Sequence, residues 1–201
     1  MLIELGEDEV TLVASDRYRL SVRKLQPLSF RGHPRSLLVN AVELVDLGRW
    51  AAAAERITVE SNPNGTALLR TEDATRELRV VEDEFPAYQV MLDDLPAPVC
   101  RVVVDRLRLL ELLTGGMVAL DIKSGKLTVS EVAAGEIGSL EVVGAGDVRI
   151  GFTAAVLAAA LSVSVGPDVL LEISEPARPV TVRSADQGTF TTLVMPARLD
   201  G

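Results

Sequence analysis

A unit of one helix followed by three short strands recurs three times along the sequence, and this recurrence constrains the fold most strongly. Apolar side chains at helical spacing predict a helix over residues 34–54, and further helices are predicted over residues 105–113 and 153–163. Each helix is followed by short segments of β-rich composition. Such a recurrence indicates duplication of one βαβββ unit. The predicted class is therefore α+β, with antiparallel sheets and with helices on one face.

The two ends of the repeat pattern differ. Before the first helix, the strings MLIEL, EVTLVAS and YRLSVRKL predict a meander of three strands with no helix ahead of them. After that helix, the string NPNG at residues 62–65 predicts a turn between two further strands. The first predicted helix is therefore preceded by strands alone.

A proline-rich linker is predicted to join two domains. The segment around residues 82–98 is interrupted by three prolines, whose rings fix φ and remove a backbone donor: Pro86, Pro96 and Pro98. We therefore predict an extended linker there. The domains are placed at residues 1–88, an incomplete one, and at residues 99–201.

Composition limits the class of partner. The chain has 29 acidic and 20 basic side chains and a formal net charge of −9, so a nucleic-acid contact would depend on a local basic strip. Cys100 is the single cysteine, excludes an internal disulfide and is predicted to be a buried strand residue. The sequence shows no signal peptide and no apolar run long enough to cross a bilayer, which predicts a cytoplasmic protein.

No set of side chains in the sequence predicts catalysis. His33 is the single histidine and lies in a Gly-His-Pro turn, so neither a zinc site nor a Cys-His pair has enough partners. The phosphate-binding glycine patterns are missing from the sequence, and the adjacent carboxylates of the linker do not by themselves make a metal site. We expect no metal, no cofactor and no enzymatic activity.

The string ASDRYRL, residues 14–20, contains an unusual grouping. Two arginines flank a tyrosine at the end of an alternating apolar strand. A solvent-facing strand does not need this combination, so we expect the segment to be positioned for binding.

Three strings in the same order resemble the bacterial sliding clamp, the β subunit of DNA polymerase III. TLVASDRYRLSV is similar to a strand of the clamp's second domain, EFPAYQVML to the linker before the third domain, and LVMPARL to the C-terminus. The resemblance covers nearly the whole chain but only part of a clamp subunit, which has three domains. It implies a DNA-clamp fold that begins inside the second domain and contains a complete third domain.

In sliding clamps, a pocket between the second and third domains receives short linear motifs of polymerases and repair proteins. Apolar walls and an adaptable methionine suit varied hydrophobic anchors. The resemblance places the following residues in this pocket: Ser15, Arg17, Tyr18, Arg19, Leu20, Pro86, Val90, Met91, Thr153, Val156, Ala177, Pro179, Leu193, Val194, Met195, Pro196, Ala197, Arg198 and Leu199.

Two positions depart from the clamp pattern. Arg17 stands where clamps commonly have glycine, and Val156 replaces what is often an aromatic side chain. A purely structural interpretation also stays open, in which Leu20, Val194 and Met195 belong to the core and Arg19 pairs with a nearby carboxylate.

Clamps encircle duplex DNA with helices that present basic side chains to phosphates. The corresponding candidates are few: Arg35 and Arg49 on the first predicted helix and Arg106 and Arg108 on the second. The helix TAAVLAAALSV has no basic residue. These arginines can equally be scattered surface charge.

Two functions are compatible with the resemblance. The first is a sliding-clamp-like scaffold of DNA replication that supports processivity by binding polymerase subunits, the clamp loader or repair proteins through their short linear motifs. Duplex DNA would be a partner only if a ring is completed. The second is a clamp-derived ligand- or protein-binding effector module of a transcription regulator, which forms no ring.

Overall fold

The computed structural model of the chain describes residues 1–62 and 65–199, except for the side chain of Gln187. The strands are β1 (Leu2–Leu5), β2 (Val10–Ser15), β3 (Arg19–Leu25), β4 (Arg35–Leu38), β5 (Thr58–Ser61), β6 (Thr66–Arg70), β7 (Thr75–Arg79), β8 (Cys100–Asp105), β9 (Met117–Lys123), β10 (Lys126–Glu131), β11 (Gly135–Glu141), β12 (Val143–Ala145), β13 (Val148–Thr153), β14 (Asp168–Ile173), β15 (Val180–Ser184) and β16 (Gln187–Val194). The helices are α1 (Ala41–Ala51), α2 (Tyr88–Asp93), α3 (Arg106–Leu112) and α4 (Ala154–Val163). The predicted turn at 62–65 includes two residues outside the described part of the chain.

Contacts divide the chain into two compact units. The N-terminal unit contains residues Met1–Ala14 and Lys24–Ala87, and the C-terminal unit contains Ser15–Arg23 together with the chain from Tyr88 onward. The segment with the string DRYRL therefore packs with the C-terminal unit, although it lies early in the sequence. The assignment of residues 1–88 and 99–201 to second-domain-like and third-domain-like parts of a clamp stays a prediction.

The C-terminal unit contains the βαβββ pattern twice. The first copy consists of β8, α3, β9, β10 and β11, and the second consists of β13, α4, β14, β15 and β16. One sheet has the order β12-β8-β14-β15-β16 followed by the paired part of β3, and the other has the order β11-β10-β9-β13. All the pairings are antiparallel. The core contains one large cluster of buried apolar residues from both sheets and both helices.

The N-terminal unit contains one complete βαβββ copy, formed by β4, α1, β5, β6 and β7. β1 pairs antiparallel with both β2 and β4, and β6 lies between β5 and β7. An isolated bridge joins Val39 to Val80. The core is a small cluster of seven buried residues: Ile3, Leu37, Val39, Leu47, Ala67, Leu69 and Leu78.

The first predicted helix was placed too early. Residues 35–38 form β4, which pairs with β1 through Leu37 opposite Ile3, and α1 begins only at Ala41. The Asn40 side chain accepts a hydrogen bond from the Val42 N–H and so fixes this start. Arg35 therefore lies on a strand and not on a helix.

The linker is also less extended than predicted. A short helix, α2, lies within it, and its first residue, Tyr88, is buried. The sequence from residue 87 to 95 contains no proline, so backbone donors are available for this turn. Burial of an aromatic ring favours it further.

The other predicted helix starts agree with the structure. The carboxylate of Asp105 accepts a hydrogen bond from the Arg108 N–H at 2.9 Å and caps α3. Thr153 is the N-cap residue of α4 but makes no side-chain capping bond. Among the described residues, no helix is both long and apolar enough to cross a membrane.

Candidate functional site

The string DRYRL forms a tight turn that Asp16 holds together. One carboxylate oxygen of Asp16 accepts the N–H groups of Tyr18 and Arg19 at 3.1 and 2.8 Å, and the other accepts two hydrogen bonds from the Arg19 guanidinium. The ion pair expected for Arg19 in the structural interpretation is therefore present. It orients the turn and leaves the Tyr18 side chain 61% exposed.

Arg17 at the tip of this turn has φ of 75°, in the left-handed region that favours glycine. This backbone conformation disfavours any side chain with a Cβ, so the arginine is held there against its own preference.

The Asp16 carboxylate is stabilised in its charged form. Partial burial by itself works to raise its pKa, but the hydrogen bonds from the Arg19 side chain and from the two backbone N–H groups outweigh it. The positive charge of Arg19 adds to this effect. The pKa of Asp16 is therefore lower than usual, and the turn is most stable when Asp16 is ionised.

The last strand of the chain lies directly beside the strand that leaves this turn. β16 pairs antiparallel with β3, with Leu193 opposite Leu20 and Val194 opposite Arg19. At the end of the ladder, the Met195 N–H donates to the Tyr18 carbonyl at 2.8 Å. Tyr18 and Met195 are therefore brought together from distant parts of the sequence.

We define the C-terminal segment as Met195–Leu199. It is held again at its centre, where the Ala197 N–H donates to the carbonyl of Gly151 on β13 at 2.8 Å. A Cβ on Gly151 would lie 2.6 Å from the Ala197 carbonyl oxygen and 2.8 Å from side-chain carbons of Leu199. Only glycine allows this close approach.

Burial separates the predicted pocket residues into two groups. Leu20 and Val194 are buried, as the structural interpretation expected, and Leu193 is buried as well, whereas Met195, which that interpretation also placed in the core, is 40% exposed. The exposed or half-buried members around the turn and the C-terminal segment are Ser15, Arg17, Tyr18, Arg19, Met195, Pro196, Ala197, Arg198 and Leu199. They belong to two segments of the C-terminal unit that meet at Tyr18 and Met195, beside the buried Leu20 and Leu193. We call this set of residues the turn-tail surface.

The remaining predicted pocket residues lie on other elements. Val156 is half-buried on α4 and packs against the core, while Thr153 is exposed at the start of that helix. The others are exposed Val90 and Met91 on α2, exposed Ala177 and half-buried Pro179 before β15, and Pro86 in the N-terminal unit.

Sequence reasoning missed two features of the C-terminal unit. The first is Gly151, although a glycine inside the strand VRIGF is a signal for close backbone approach. The second is a groove of about 220 Å³ between the linker and the sheet, lined by Leu92, Leu95, Pro96, Ala97, Pro98, Glu172, Ser174, Pro179, Thr181 and Arg183. Glu172 lies in it, largely buried, and pairs with Arg101 at 3.1 Å and with Arg183 at 3.5 Å.

The four candidate DNA-facing arginines are mostly engaged within the protein. Arg35 donates to the Ser61 hydroxyl at 3.1 Å, and Arg49 pairs with Asp46 at 3.3 Å. The Arg106 guanidinium donates to the carbonyl oxygens of Gly166 and Leu161, so it closes the end of α4. Arg108 is exposed on α3.

The single histidine and the single cysteine of the sequence differ in solvent exposure. His33 is exposed, whereas Cys100 is buried and its thiol donates to the Gly146 carbonyl at 3.5 Å. Burial, with a smaller contribution from the charge of Asp147, raises the pKa of the Cys100 thiol. Within residues 1–62 and 65–199, no group of three or more histidine, cysteine or acidic side chains is arranged to hold a metal ion.

The similarity of this chain to known proteins is seen when structures, and not sequences, are compared. No protein-family model and no curated protein sequence matches the chain. The DNA polymerase III β subunit of Thermotoga maritima superposes with a TM-score of 0.85 at 23% identity, over 99% of this chain and 57% of that chain. A sliding clamp of Pseudomonas aeruginosa, solved with griselimycin bound, gives a TM-score of 0.88 at 22% identity, over 99% and 57%. The β subunit of Streptococcus pyogenes gives 0.86 at 21%, over 98% and 57%.

These matches agree with the predicted clamp fold and its antiparallel sheets. The chain spans just over half the length of the clamps that it matches. It therefore has the sliding-clamp fold of bacterial DNA polymerase III β subunits, over a partial set of their domains.

Proposed function

We propose that this chain is a sliding-clamp-like, non-enzymatic scaffold of DNA replication that binds short linear motifs of polymerase, clamp-loader and repair proteins on the turn-tail surface. The single observation that carries the proposal is the double attachment of the C-terminal segment, through Met195 to Tyr18 and through Ala197 to Gly151. This attachment presents Tyr18 and Met195 side by side, both substantially exposed.

The chemistry of this surface suits a hydrophobic peptide anchor. A tyrosine ring and a flexible methionine provide adaptable apolar contact over the buried Leu20 and Leu193. The Pro196 ring ends the strand ladder because it has no N–H to donate. The griselimycin complex of the Pseudomonas aeruginosa clamp is a further reason to look for ligand binding on this fold.

Calorimetric titration tests the proposal with a peptide that carries a polymerase-type clamp-binding motif. Removal of residues 195–199 should abolish binding. Tyr18→Ala and Met195→Ala, which alter exposed side chains and so preserve folding, should each weaken affinity by about tenfold, the size expected for an interface anchor. Arg49→Ala, in the N-terminal unit, is the matched control. Unchanged affinity in both exposed-residue variants would refute the assignment.

The alternative function, a clamp-derived effector module without a ring, is favoured by one specific observation. Arg35, Arg49 and Arg106 are engaged with protein groups, and α4 offers no basic side chain. Each missing phosphate contact removes a counterion-release contribution to DNA affinity. We therefore propose that the chain alone is a poor DNA tether, whichever function holds.

Retention on nicked circular plasmid, before and after linearisation, separates the two functions. A scaffold that encircles DNA would stay on circles and be lost from linear DNA. A module that does not encircle DNA would show the same weak, salt-sensitive retention on both forms.

A further inference from the structure

We propose that Arg17 gives the turn-tail surface a preference for peptides that carry a carboxylate beside their apolar anchor, because its guanidinium pairs with that carboxylate. The inference rests on the proposed function, since it names the chemistry of the peptide that this surface binds. It adds a specificity-determining residue to Tyr18 and Met195, the two side chains proposed to contact the anchor.

The backbone of Arg17 is held in a conformation that costs stability. At φ of 75°, the Cβ of an L-residue comes close to the following carbonyl oxygen. Asp16 holds the turn in this shape, because its carboxylate accepts the N–H groups of Tyr18 and Arg19. Glycine would adopt the same turn without strain. Strained residues of this kind concentrate at binding sites, where the side chain has a use that the fold alone does not require.

The Arg17 side chain has no contact within the protein that offsets this strain. It is exposed and makes no hydrogen bond or ion pair with another described residue. Arg19, two residues later, is different, because its guanidinium donates two hydrogen bonds to Asp16. The Arg17 guanidinium is therefore available to a partner outside the chain.

The two segments of the turn-tail surface carry an excess of positive charge. Residues 15–20 and 195–199 contain three arginines, Arg17, Arg19 and Arg198, and one acid, Asp16, which leaves a net charge of +2. The whole chain has a formal net charge of −9. Asp16 is already paired with Arg19, and Arg198 is exposed. This local excess favours an acidic peptide over a basic one.

Arg17 also lies close to the proposed anchor contacts. It immediately precedes Tyr18, whose side chain is 61% exposed and whose carbonyl accepts the Met195 N–H. Arginine binds a carboxylate through two parallel N–H donors, which gives the pair a defined orientation. An extended peptide rises about 3.3 Å per residue. We therefore expect the carboxylate to lie one to three residues from the anchor.

A peptide carboxylate is favoured over a DNA phosphate by the surroundings of Arg17. DNA affinity is built from several cations that contact successive phosphates. The neighbours of Arg17 are instead the exposed apolar side chain of Tyr18, the partly exposed Met195 and the already paired Arg19. One free cation beside apolar groups suits a single acidic residue next to a hydrophobic anchor.

Matched peptides measure the preference. Each carries the same polymerase-type clamp-binding motif, with either a glutamate or a glutamine placed at each flanking position in turn. We expect calorimetric titration at low salt to show about fivefold tighter binding for the best-placed glutamate, the upper range for an exposed ion pair. The ratio of the two affinities should fall towards one as salt is added, because solvent ions screen the pair.

Substitutions assign the preference to the Arg17 side chain. Arg17→Gly should bring the ratio of glutamate to glutamine affinity to about one, and Arg17→Lys should retain part of it. Arg17→Glu should reverse the preference, so that a lysine at that peptide position binds more tightly than the glutamate. Lys126→Gln, which removes an exposed charge from β10 of the same unit, is the matched control and should leave the ratio unchanged.

The outcomes separate this inference from the proposed function. Peptides that need Tyr18 and Met195 but bind equally with glutamate and glutamine would overturn this inference alone. A preference that survives Arg17→Gly would also overturn it, because another cation such as Arg198 would then be the source. Absence of binding by every peptide would overturn both proposals.

Two further measurements complete the test. Loss of plasmid retention in Arg17→Gly, with an unchanged peptide ratio, would assign Arg17 to DNA phosphates and contradict the inference. Far-UV circular dichroism should first confirm that each variant folds. Arg17→Gly relieves the backbone at this position, so it decides the question if Arg17→Glu does not fold.

Discussion

The two units of the molecule use the same βαβββ pattern to different degrees of completeness. The C-terminal unit has two copies, and its helix α4 buries Ala154, Leu157, Ala160 and Leu161. The N-terminal unit has one copy preceded by strands alone, and Leu47 is the one residue of its helix α1 that is buried. Two valines of α1, Val42 and Val45, are 75% and 55% exposed.

The surroundings of the repeated elements differ between the two units. In the C-terminal unit, β8 covers the edge of β14, and α3 contacts α4. The N-terminal unit has no counterpart of either element within the described residues. Among the described residues its core is small, and some of its apolar side chains, such as Val42 and Val45, are exposed. The turn-tail surface lies on the complete unit.

Paired leucine substitutions should produce the largest difference between the units. Leu157→Ala removes a side chain with no exposure and should cost about 3 to 4 kcal/mol of unfolding free energy. Leu47→Ala should cost only about 1 to 2 kcal/mol, because solvent borders much of α1 and the site can relax. Urea unfolding followed by circular dichroism and by fluorescence of Trp50, the single tryptophan, measures both changes. Equal losses of unfolding free energy in the two variants would contradict the proposed difference between the units.

Within the complete unit, Gly151→Ala should have the next largest effect. The added Cβ would meet the Ala197 carbonyl and Leu199, so we expect a loss of about 1 to 3 kcal/mol and displacement of the C-terminal segment. Gly116→Ala is the matched control, because a Cβ there meets no atom within 4 Å. Thermal unfolding and peptide titration of both variants measure the difference. If both variants behave alike, Gly151 does not hold the C-terminal segment.

Arg17→Gly should stabilise the protein slightly, by up to about 1 kcal/mol. Relief of the left-handed conformation at φ of 75° outweighs the extra chain entropy of glycine in the unfolded state. Arg17→Ala removes the same side chain but keeps the strained backbone, so it should not stabilise. Denaturant midpoints compare the two variants. A gain in both would mean that the arginine side chain, and not the backbone, causes the strain.

The smallest expected effect is the pH dependence of the Asp16 turn. A lowered carboxyl pKa gives stability that is present above the unfolded-state pKa, near about 4, and is lost as pH falls through the lower folded-state pKa. Asp16→Asn, which keeps an acceptor but no charge, should therefore cost less than about 1 kcal/mol at pH 7. The difference from wild type should shrink towards pH 3. A constant difference across this range would rule out the ionised carboxylate as the source.

The sequence predicts the βαβββ repeat because most of its helices and strands are indicated by residues within or next to each element. The helix that begins after Asp105 carries its own capping carboxylate, and α4 is an almost unbroken run of apolar residues without glycine or proline. The string of residues 35–38 could not be assigned in the same way. Its residues, Arg-Ser-Leu-Leu, suit a helix or a strand, and the choice depends on pairing with β1, which is distant in sequence.

The candidate site was predictable only in part for the same reason. The strings around Tyr18 and Met195 are recognisable in the sequence, but the hydrogen bond between them is a tertiary contact. The role of Arg106 depends on carbonyl groups of Leu161 and Gly166 on a distant segment, and no local pattern reveals it. Gly151 gives a weak local signal whose meaning appears only when Ala197 lies against it.

Amide hydrogen exchange with and without the clamp-binding peptide tests the central claim most directly. If the turn-tail surface of the C-terminal unit binds the motif, added peptide should slow exchange of the amides of residues 18–20, Met195 and Ala197, because the last two hold the C-terminal segment in place. Exchange in β5, β6 and β7 of the incomplete unit should not change. Peptide-dependent protection in β5 to β7 with none around Tyr18 and Met195 would contradict the account.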